Sequence, residues 1–178
     1  IIYRNLNRAA ELISSFKQVA VDQTSESSRS FCVVQLVNEI LLSLQPRLKK
    51  LKHNINVECD PTLSVETKAG PINQILITLI MNSVIHGVET MEEGTIDIRA
   101  ELVSNNKLKL VYTDNGKGIP PEIRKRIFDP FVTTKRGQGG SGLGMHLVYN
   151  LVTQALNGSI SITSEEGNGV EFVIIFPV

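Results

Sequence analysis

Two glycine clusters stand on either side of a short acidic and aromatic box, and they hold most of the residues in this chain that could do chemistry. The first is Asp114-Asn115-Gly116-Lys117-Gly118, the box is Arg126-Ile127-Phe128-Asp129-Pro130-Phe131, and the second runs from Gly137 to Gly144. Glycine alone lets a ligand approach the backbone closely and adopts positive φ at little steric cost. A site where backbone touches a phosphate-bearing ligand is therefore expected. Asp114 ends an apolar strand, so its carboxylate could face an amino-group donor, while Gly116 and Gly118 could press against a flat ring. Asp-Asn-Gly is also a turn for purely local reasons. The second cluster leads into a predicted helix, whose first N–H groups and positive dipole end suit phosphates. It lacks the Gly-Lys-Ser/Thr of a Walker loop, and no strand directly precedes it as a dinucleotide fingerprint requires.

Asn82 lies on a helix that is otherwise largely apolar from Ile75 to Ile85. A buried asparagine needs a partner, and its amide oxygen could serve a hard cation such as Mg²⁺ that phosphates also bridge, or simply satisfy a core hydrogen bond. His86, one turn on, reads as a ligand or as a surface histidine near a helix end. Lys135 and Arg136 read as phosphate partners or as solvated charges.

These residues need a scaffold, and the composition allows one. The 178 residues are 42% hydrophobic and 20% charged, enough for one well-buried core plus an extension. Eighteen basic and eighteen acidic side chains cancel, which leaves no global field to recruit nucleic acid or an anionic membrane. The longest apolar run, Ile75 to Met81, is far short of the roughly 20 residues a membrane helix needs. Cys32 and Cys59 lack metal-ligand spacing and no signal peptide is visible, which favours buried thiols in a reducing, cytoplasmic setting. A first residue of Ile1 rather than methionine suggests a piece of a longer protein.

Ile2, Leu6, Ala9, Ile13, Phe16 and Ala20 recur at steps of three and four, a stripe for packing along another helix. The polar stretch 22–30 reads as a linker. Beyond it the pattern predicts a strand over Phe31–Val34 and a helix carrying Leu36, Ile40, Leu44 and Leu48, kinked or broken at Pro46. Strands follow at Ile55–Cys59 and Leu63–Val65, then a buried helix with Pro71 in its first position and Gly87 past its end. Thr95–Leu102 and Lys107–Thr113 should form a hairpin about Ser104-Asn105-Asn106. Leu143–Ala155 reads as a helix, and Ser159–Thr163 with Val170–Phe176 as a last hairpin. This order predicts an α+β, two-layer sandwich, a mixed and mostly antiparallel sheet with helices on one face, preceded by an N-terminal helix. The glycine-rich connection would be a lid ordered by its ligand.

In combination these stretches resemble the catalytic, ATP-binding domain of sensor histidine kinases of two-component systems, in the superfamily that also holds DNA gyrase, heat-shock chaperones and MutL proteins. QILITLIMNSVIHG at 74–87 is similar to the N box, DNGKGIP at 114–120 to the first glycine box, RIFDPFVTTK at 126–135 to the F box, and GGSGLG at 139–144 to the second glycine box. The resemblance covers roughly 31–178 and implies the Bergerat-type ATP-binding fold. Residues 1–22 are similar to the second helix of a dimerisation and phosphoacceptor hairpin, with 23–30 a linker. It implies that Asp114 accepts the adenine amino hydrogen, that Gly116 and Gly118 shape the adenine pocket and that Asn82 binds Mg²⁺. Gly140, Gly142, Leu143 and Gly144 would lie along the phosphates, and Phe128 and Phe131 would anchor the lid. His86, Ile119, Thr133, Thr134, Lys135, Arg136, Gly139 and Ser141 complete the implied nucleotide contacts. Two departures stand out: Thr78 replaces a first N-box asparagine, and Val170 replaces a threonine expected after the last hairpin glycine.

The implied function is transfer of the ATP γ-phosphoryl group to a histidine, with Mg²⁺ assisting and a response regulator receiving the phosphoryl group. An ATP-hydrolysing conformational machine or a nucleotide-sensing module is the alternative. Hydrolysis would need a base to activate water, and the resemblance to the hydrolytic members of the superfamily implies a glutamate four residues before Asn82, where Thr78 stands and cannot take a proton near neutral pH. None of His53, His86 and His146 falls on a solvent-facing hairpin helix. The acceptor is expected upstream, on a helix that dimerises with residues 1–22, so this chain alone should not phosphorylate itself.

Overall fold

A computed structural model of the chain describes residues 27–48, 53–88, 93–133 and 142–178. The expected N-terminal helix lies outside these residues, as does the linker before residue 27.

Strand β1 (Arg29–Cys32) leads directly into helix α1 (Val33–Leu48). The strand begins two residues inside the expected linker, and the helix claims Val33 and Val34, which the sequence pattern assigned to a strand. Both shifts have a tertiary cause. β1 pairs antiparallel with β3 (Ser64–Thr67), and the Val33 N–H bonds the Leu63 carbonyl at 2.9 Å, which ends the ladder and leaves Val33 free to turn inward. α1 then buries Val33, Leu36, Val37, Ile40 and Leu44, the three-and-four spacing of a helix face, and it continues through Pro46.

Helix α2 (Ala69–Asn82) follows β3 and buries Ile72, Ile75, Leu76, Leu79 and Ile80. Pro71 is its third residue rather than its first. The position tolerates proline because the first four helical N–H groups have no intrahelical acceptor. At its end the helix widens into a π turn, Ser83–Gly87, closed by the Val88 N–H on the Ser83 carbonyl at 2.8 Å.

The main sheet contains β2 (His53–Cys59), β4 (Gly94–Val103), β5 (Lys107–Asp114), β6 (Ser159–Ser164) and β7 (Val170–Pro177), in the order β2-β4-β5-β7-β6. β2 and β4 run parallel, since the crossover between them carries β3 and α2, and the other pairs are antiparallel. Asn105 and Asn106 both take positive φ in the β4–β5 turn, which asparagine tolerates better than most residues. Alternate residues of the central strands, Ile96 and Ile98, Leu108, Leu110 and Tyr112, Phe172, Ile174 and Phe176, are buried under the helices. The opposite face carries exposed ion pairs such as Arg99–Glu58 at 2.9 Å, each a small contribution to stability. The expected two-layer α+β sandwich is the observed one.

Short helix α3 (Pro121–Arg124) interrupts the long connection, and helix α4 (Gly144–Asn150) ends, like α2, in a π turn, Leu151–Ala155. α2 and α4 pack together on the sheet. Their ends, with the tips of β5 and of the β6–β7 turn, enclose the site.

Candidate functional site

A cavity of about 700 Å³ opens between α2, the Asp114 end of β5, the β6–β7 turn and the start of α4. Its floor is Asp114, 8% exposed. The carboxylate is held on both oxygens: Oδ1 accepts the Gly116 N–H at 2.9 Å, and Oδ2 accepts the hydroxyl proton of Ser83. Behind them the Tyr112 hydroxyl donates to Ser83 Oγ at 2.7 Å, with the Leu79 carbonyl 3.2 Å away. Burial drives the Tyr112 phenol far above its usual titration range; its bond with Ser83 opposes the rise and the charge of Asp114 adds to it. Tyr112 therefore stays a hydroxyl donor at any working pH.

Backbone stitching fixes the first glycine cluster. The Lys117 N–H bonds the Gly87 carbonyl at 3.0 Å and the Gly167 N–H bonds the Lys117 carbonyl at 2.7 Å, tying α2, the β5 tip and the β6–β7 turn into one wall. Gly118 has φ +71°, and a Cβ there would lie 1.9 Å from the Glu165 carbonyl oxygen, so no other residue fits without moving the turn. Asn115 faces away from the cavity and pairs with β4, its Oδ1 accepting the Thr95 N–H at 2.8 Å. That role is purely structural. Ser164 locks the next stretch: its hydroxyl accepts the Ile119 N–H at 2.9 Å and donates to the Gly169 carbonyl at 2.6 Å.

Asn82, half-buried at the end of α2, places its amide on the cavity wall, with Nδ2 3.2 Å from Met145 Sδ. A thioether is a weak acceptor, so this contact orients the amide without exhausting it. Gly142 has φ +72°, and a Cβ on it would sit 2.5 Å from the Phe131 carbonyl carbon, so the stretches flanking residues 134–141 meet backbone to backbone. His146 clamps one of them. Its Nδ1 donates to the Phe128 carbonyl at 2.9 Å while Nε2 accepts the Asn150 amide at 3.2 Å, an arrangement that assigns the proton to Nδ1.

Of the residues expected at the site, Asn82, His86, Asp114, Gly118, Ile119, Thr133, Gly142 and Gly144 border the cavity. Gly116 supports Asp114 from behind, and Leu143, 6% exposed, packs into the core as the residue before α4. Phe131 departs from expectation. It takes φ 67°, its side chain is half-exposed and it borders no part of the cavity, whereas Phe128 packs against Tyr149 with ring centroids 5.4 Å apart. Thr134, Lys135, Arg136, Gly139, Gly140 and Ser141 lie outside the described residues. Ser83, Tyr112 and Glu166 were not anticipated as part of the site, and Val170 was noted only as a departure from the family pattern. Ser83, Glu166 and Val170 border the cavity and Tyr112 lies behind it. The adjacency of Ser83 to Asn82, and of Tyr112 to Asp114 at the two-residue period of a strand, were the available signals.

The sequence pattern of the family described as "Histidine kinase-, DNA gyrase B-, and HSP90-like ATPase" matches residues 67–178. The chain belongs to this family. Among curated relatives it is 38% identical over 133 residues to the autoinducer 2 sensor kinase/phosphatase LuxQ of Vibrio harveyi, covering 70% of this chain and 15% of that protein. It is 37% identical over 114 residues to the sensor histidine kinase ZraS of Salmonella typhimurium, covering 64% and 23%. The chain thus spans less than a quarter of the length of either relative. Among solved structures, the catalytic domain of histidine kinase ThkA in a nucleotide-free form superposes with a TM-score of 0.72 at 29% identity, covering 85% of this chain and 95% of that one. ThkA has also been solved in complex with the response regulator protein TrrA; there the TM-score is 0.71 at 25% identity, with 97% of this chain and 48% of that one covered. In this histidine kinase-like ATPase domain, the cavity over Asp114 is the candidate nucleotide site. Among its described residues no helix is long and apolar enough to cross a membrane, and no group of three or more His, Cys, Asp or Glu could hold a metal.

Proposed function

We propose that this chain is the catalytic part of a cytoplasmically oriented sensor histidine kinase, which binds ATP with Mg²⁺ and delivers the γ-phosphoryl group to a histidine on a dimerising hairpin. In this reading residues 1–22 would supply one helix of that hairpin, the residues from 23 up to the start of β1 at Arg29 would join it to the domain, and a response regulator would take the phosphoryl group onward, as the ThkA–TrrA pairing suggests. The observation that carries the nucleotide reading is Asp114: a nearly buried carboxylate, fixed by two protein donors, facing a cavity large enough for a nucleotide. Its remaining lone pairs suit an exocyclic amino group.

Asn82 would hold the cation. A single protein oxygen suits Mg²⁺, which keeps its waters and takes its other ligands from phosphates. When bound, the ion neutralises charge on the phosphates. The chain's own contribution is positioning: at Gly144 a Cβ would stand 3.8 Å from the Asn82 amide, so the bare backbone there leaves room beside Asn82 for the phosphates.

The hydrolytic alternative fares worse. The Thr78 hydroxyl donates to the Gln74 carbonyl at 2.8 Å and borders no part of the cavity, so nothing at that position can activate water. Nor do the chain's histidines read as acceptors: His53 Nδ1 accepts the Gly94 N–H at 3.0 Å, His86 faces the cavity and His146 clamps Phe128. Calorimetry with ATP in the presence and absence of Mg²⁺ tests the reading. Binding strengthened by the metal is expected, and a folded chain that binds no adenine nucleotide would overturn it.

A further inference from the structure

The carboxylate at the floor of the cavity is aimed by a relay of hydroxyls that starts in the core. Tyr112 precedes Asp114 by two residues on the same face of β5, is fully buried and does not border the cavity. Its hydroxyl reaches two acceptors, Ser83 Oγ at 2.7 Å and the Leu79 carbonyl at 3.2 Å, and the shorter bond assigns its proton to Ser83; a serine hydroxyl has one proton to give, and the acceptor within its reach is Asp114 Oδ2. Directly across the ladder from Asp114 stands Val170, which has no polar side-chain atom to offer. The side-chain hydroxyl on this carboxylate therefore comes from the π turn that follows α2 and not from β7.

We infer that Ser83, oriented by Tyr112, is a positioning residue through which the cavity selects 6-amino purine nucleotides over 6-oxo ones; the inference rests on the ATP reading above. With one protein donor on each oxygen, the Asp114 carboxylate cannot rotate about its soft, two-fold terminal torsion without breaking a buried bond. Its free lone pairs then point into the cavity at a fixed angle. A 6-amino group meets them with a proton. A 6-oxo group meets them with lone pairs of its own, and both sides lose the hydrogen bonds they had in water. Once Ser83 loses its hydroxyl, Oδ2 has no protein partner, the carboxylate swings, and the match with the amino group loosens while the mismatch with the oxo group stays much as it was.

The test is calorimetric affinity for ATP and for ITP, with a thermal melt on each variant. Wild type should bind ATP well ahead of ITP. Ser83→Ala should bind ATP about tenfold more weakly, the cost of a hydrogen bond to a charged group, and ITP unchanged, so that the preference falls about tenfold. Ser83→Thr keeps a hydroxyl and should keep the preference. Tyr112→Phe, which leaves Ser83 its proton but removes what aims it, should lower the preference by less than Ser83→Ala does. An unchanged ATP-to-ITP ratio in Ser83→Ala, or equal losses for both nucleotides, would make Ser83 merely structural and overturn the inference while leaving ATP binding intact. A folded wild type that binds no ATP would overturn the functional reading and this inference with it.

Discussion

Asp114→Asn changes one oxygen for an amide nitrogen of nearly equal size, so its effect isolates hydrogen-bond polarity. In the folded chain the carboxylate accepts from Gly116 N–H and from Ser83. If the asparagine keeps its oxygen on Gly116, its NH₂ group faces Ser83, and the Ser83 proton loses its acceptor. Leaving a buried donor unsatisfied costs about 1–3 kcal/mol. The penalty should appear as a melting temperature lowered by a few degrees, at roughly 2–4 °C per kcal/mol for a domain of this size. At the ligand the loss is larger. The amide cannot offer the carboxylate's charge-assisted bond, worth about 1.5–3 kcal/mol, and it confronts the adenine amino group with another donor. A total near 3 kcal/mol corresponds to a loss of about 150-fold in affinity. Calorimetry with a non-hydrolysable ATP analogue measures this, with circular dichroism to show that the variant is folded. A folded Asp114→Asn chain whose affinity lies within threefold of wild type would refute the reasoning and remove Asp114 from the site.

Asn82→Ala should weaken nucleotide binding by at least about tenfold when Mg²⁺ is present, the lower end of what even outer-shell losses cost a metal site, and leave metal-free adenosine binding unchanged; equal loss in both conditions would make Asn82 structural. Gly118→Ala should destabilise the domain by about 3 kcal/mol, because alanine at φ +71° is strained and its Cβ would collide with the Glu165 carbonyl; a chemical denaturation midpoint equal to wild type would contradict the stitched wall. Burial, then the neighbouring Cys32 and Asp60, push the Cys59 thiol upward in pKa, so less of it is thiolate at pH 8 and iodoacetamide should label it more slowly than a free small-molecule thiol, the gap closing as pH rises. Mass-spectrometric labelling as fast as the small thiol would show the site to be more open than described.

Much of this architecture is written in short-range patterns. The alternation along β4, β5 and β7 and the three-and-four spacing in α2 reflect burial that each segment must satisfy whatever its neighbours, and the glycine boxes mark backbone contacts that admit no side chain. What stayed hidden depends on partners far away in sequence. Val33 and Val34 look like strand residues until the Leu63 carbonyl ends the ladder at Val33. The parallel pairing of β2 with β4 follows from where the crossover lands, and the π turn at Ser83–Gly87 has no sequence signal at all. That turn helps bring Ser83 to the carboxylate. Within the site, the boxes identified Asp114, Asn82 and the glycines because their chemistry is unusual for their place in the chain. Ser83 and Tyr112 escaped because each is an ordinary helix or core residue until the fold sets it beside Asp114, whereas Val170 was visible as a departure from the family pattern, though not as the residue paired with Asp114 across the ladder.

In the proposed function this domain positions ATP for transfer to a histidine carried on a hairpin and not for hydrolysis. The most direct measurement mixes the chain with γ-labelled ATP, Mg²⁺ and a longer form of the same protein that includes the upstream hairpin but carries Asp114→Asn. The account predicts acid-labile label on a hairpin histidine of the longer form, supplied by the intact domain and absent when that domain also carries Asp114→Asn. Label on His53, His86 or His146, acid-stable label on serine or threonine, or release of phosphate with no labelled protein would contradict it.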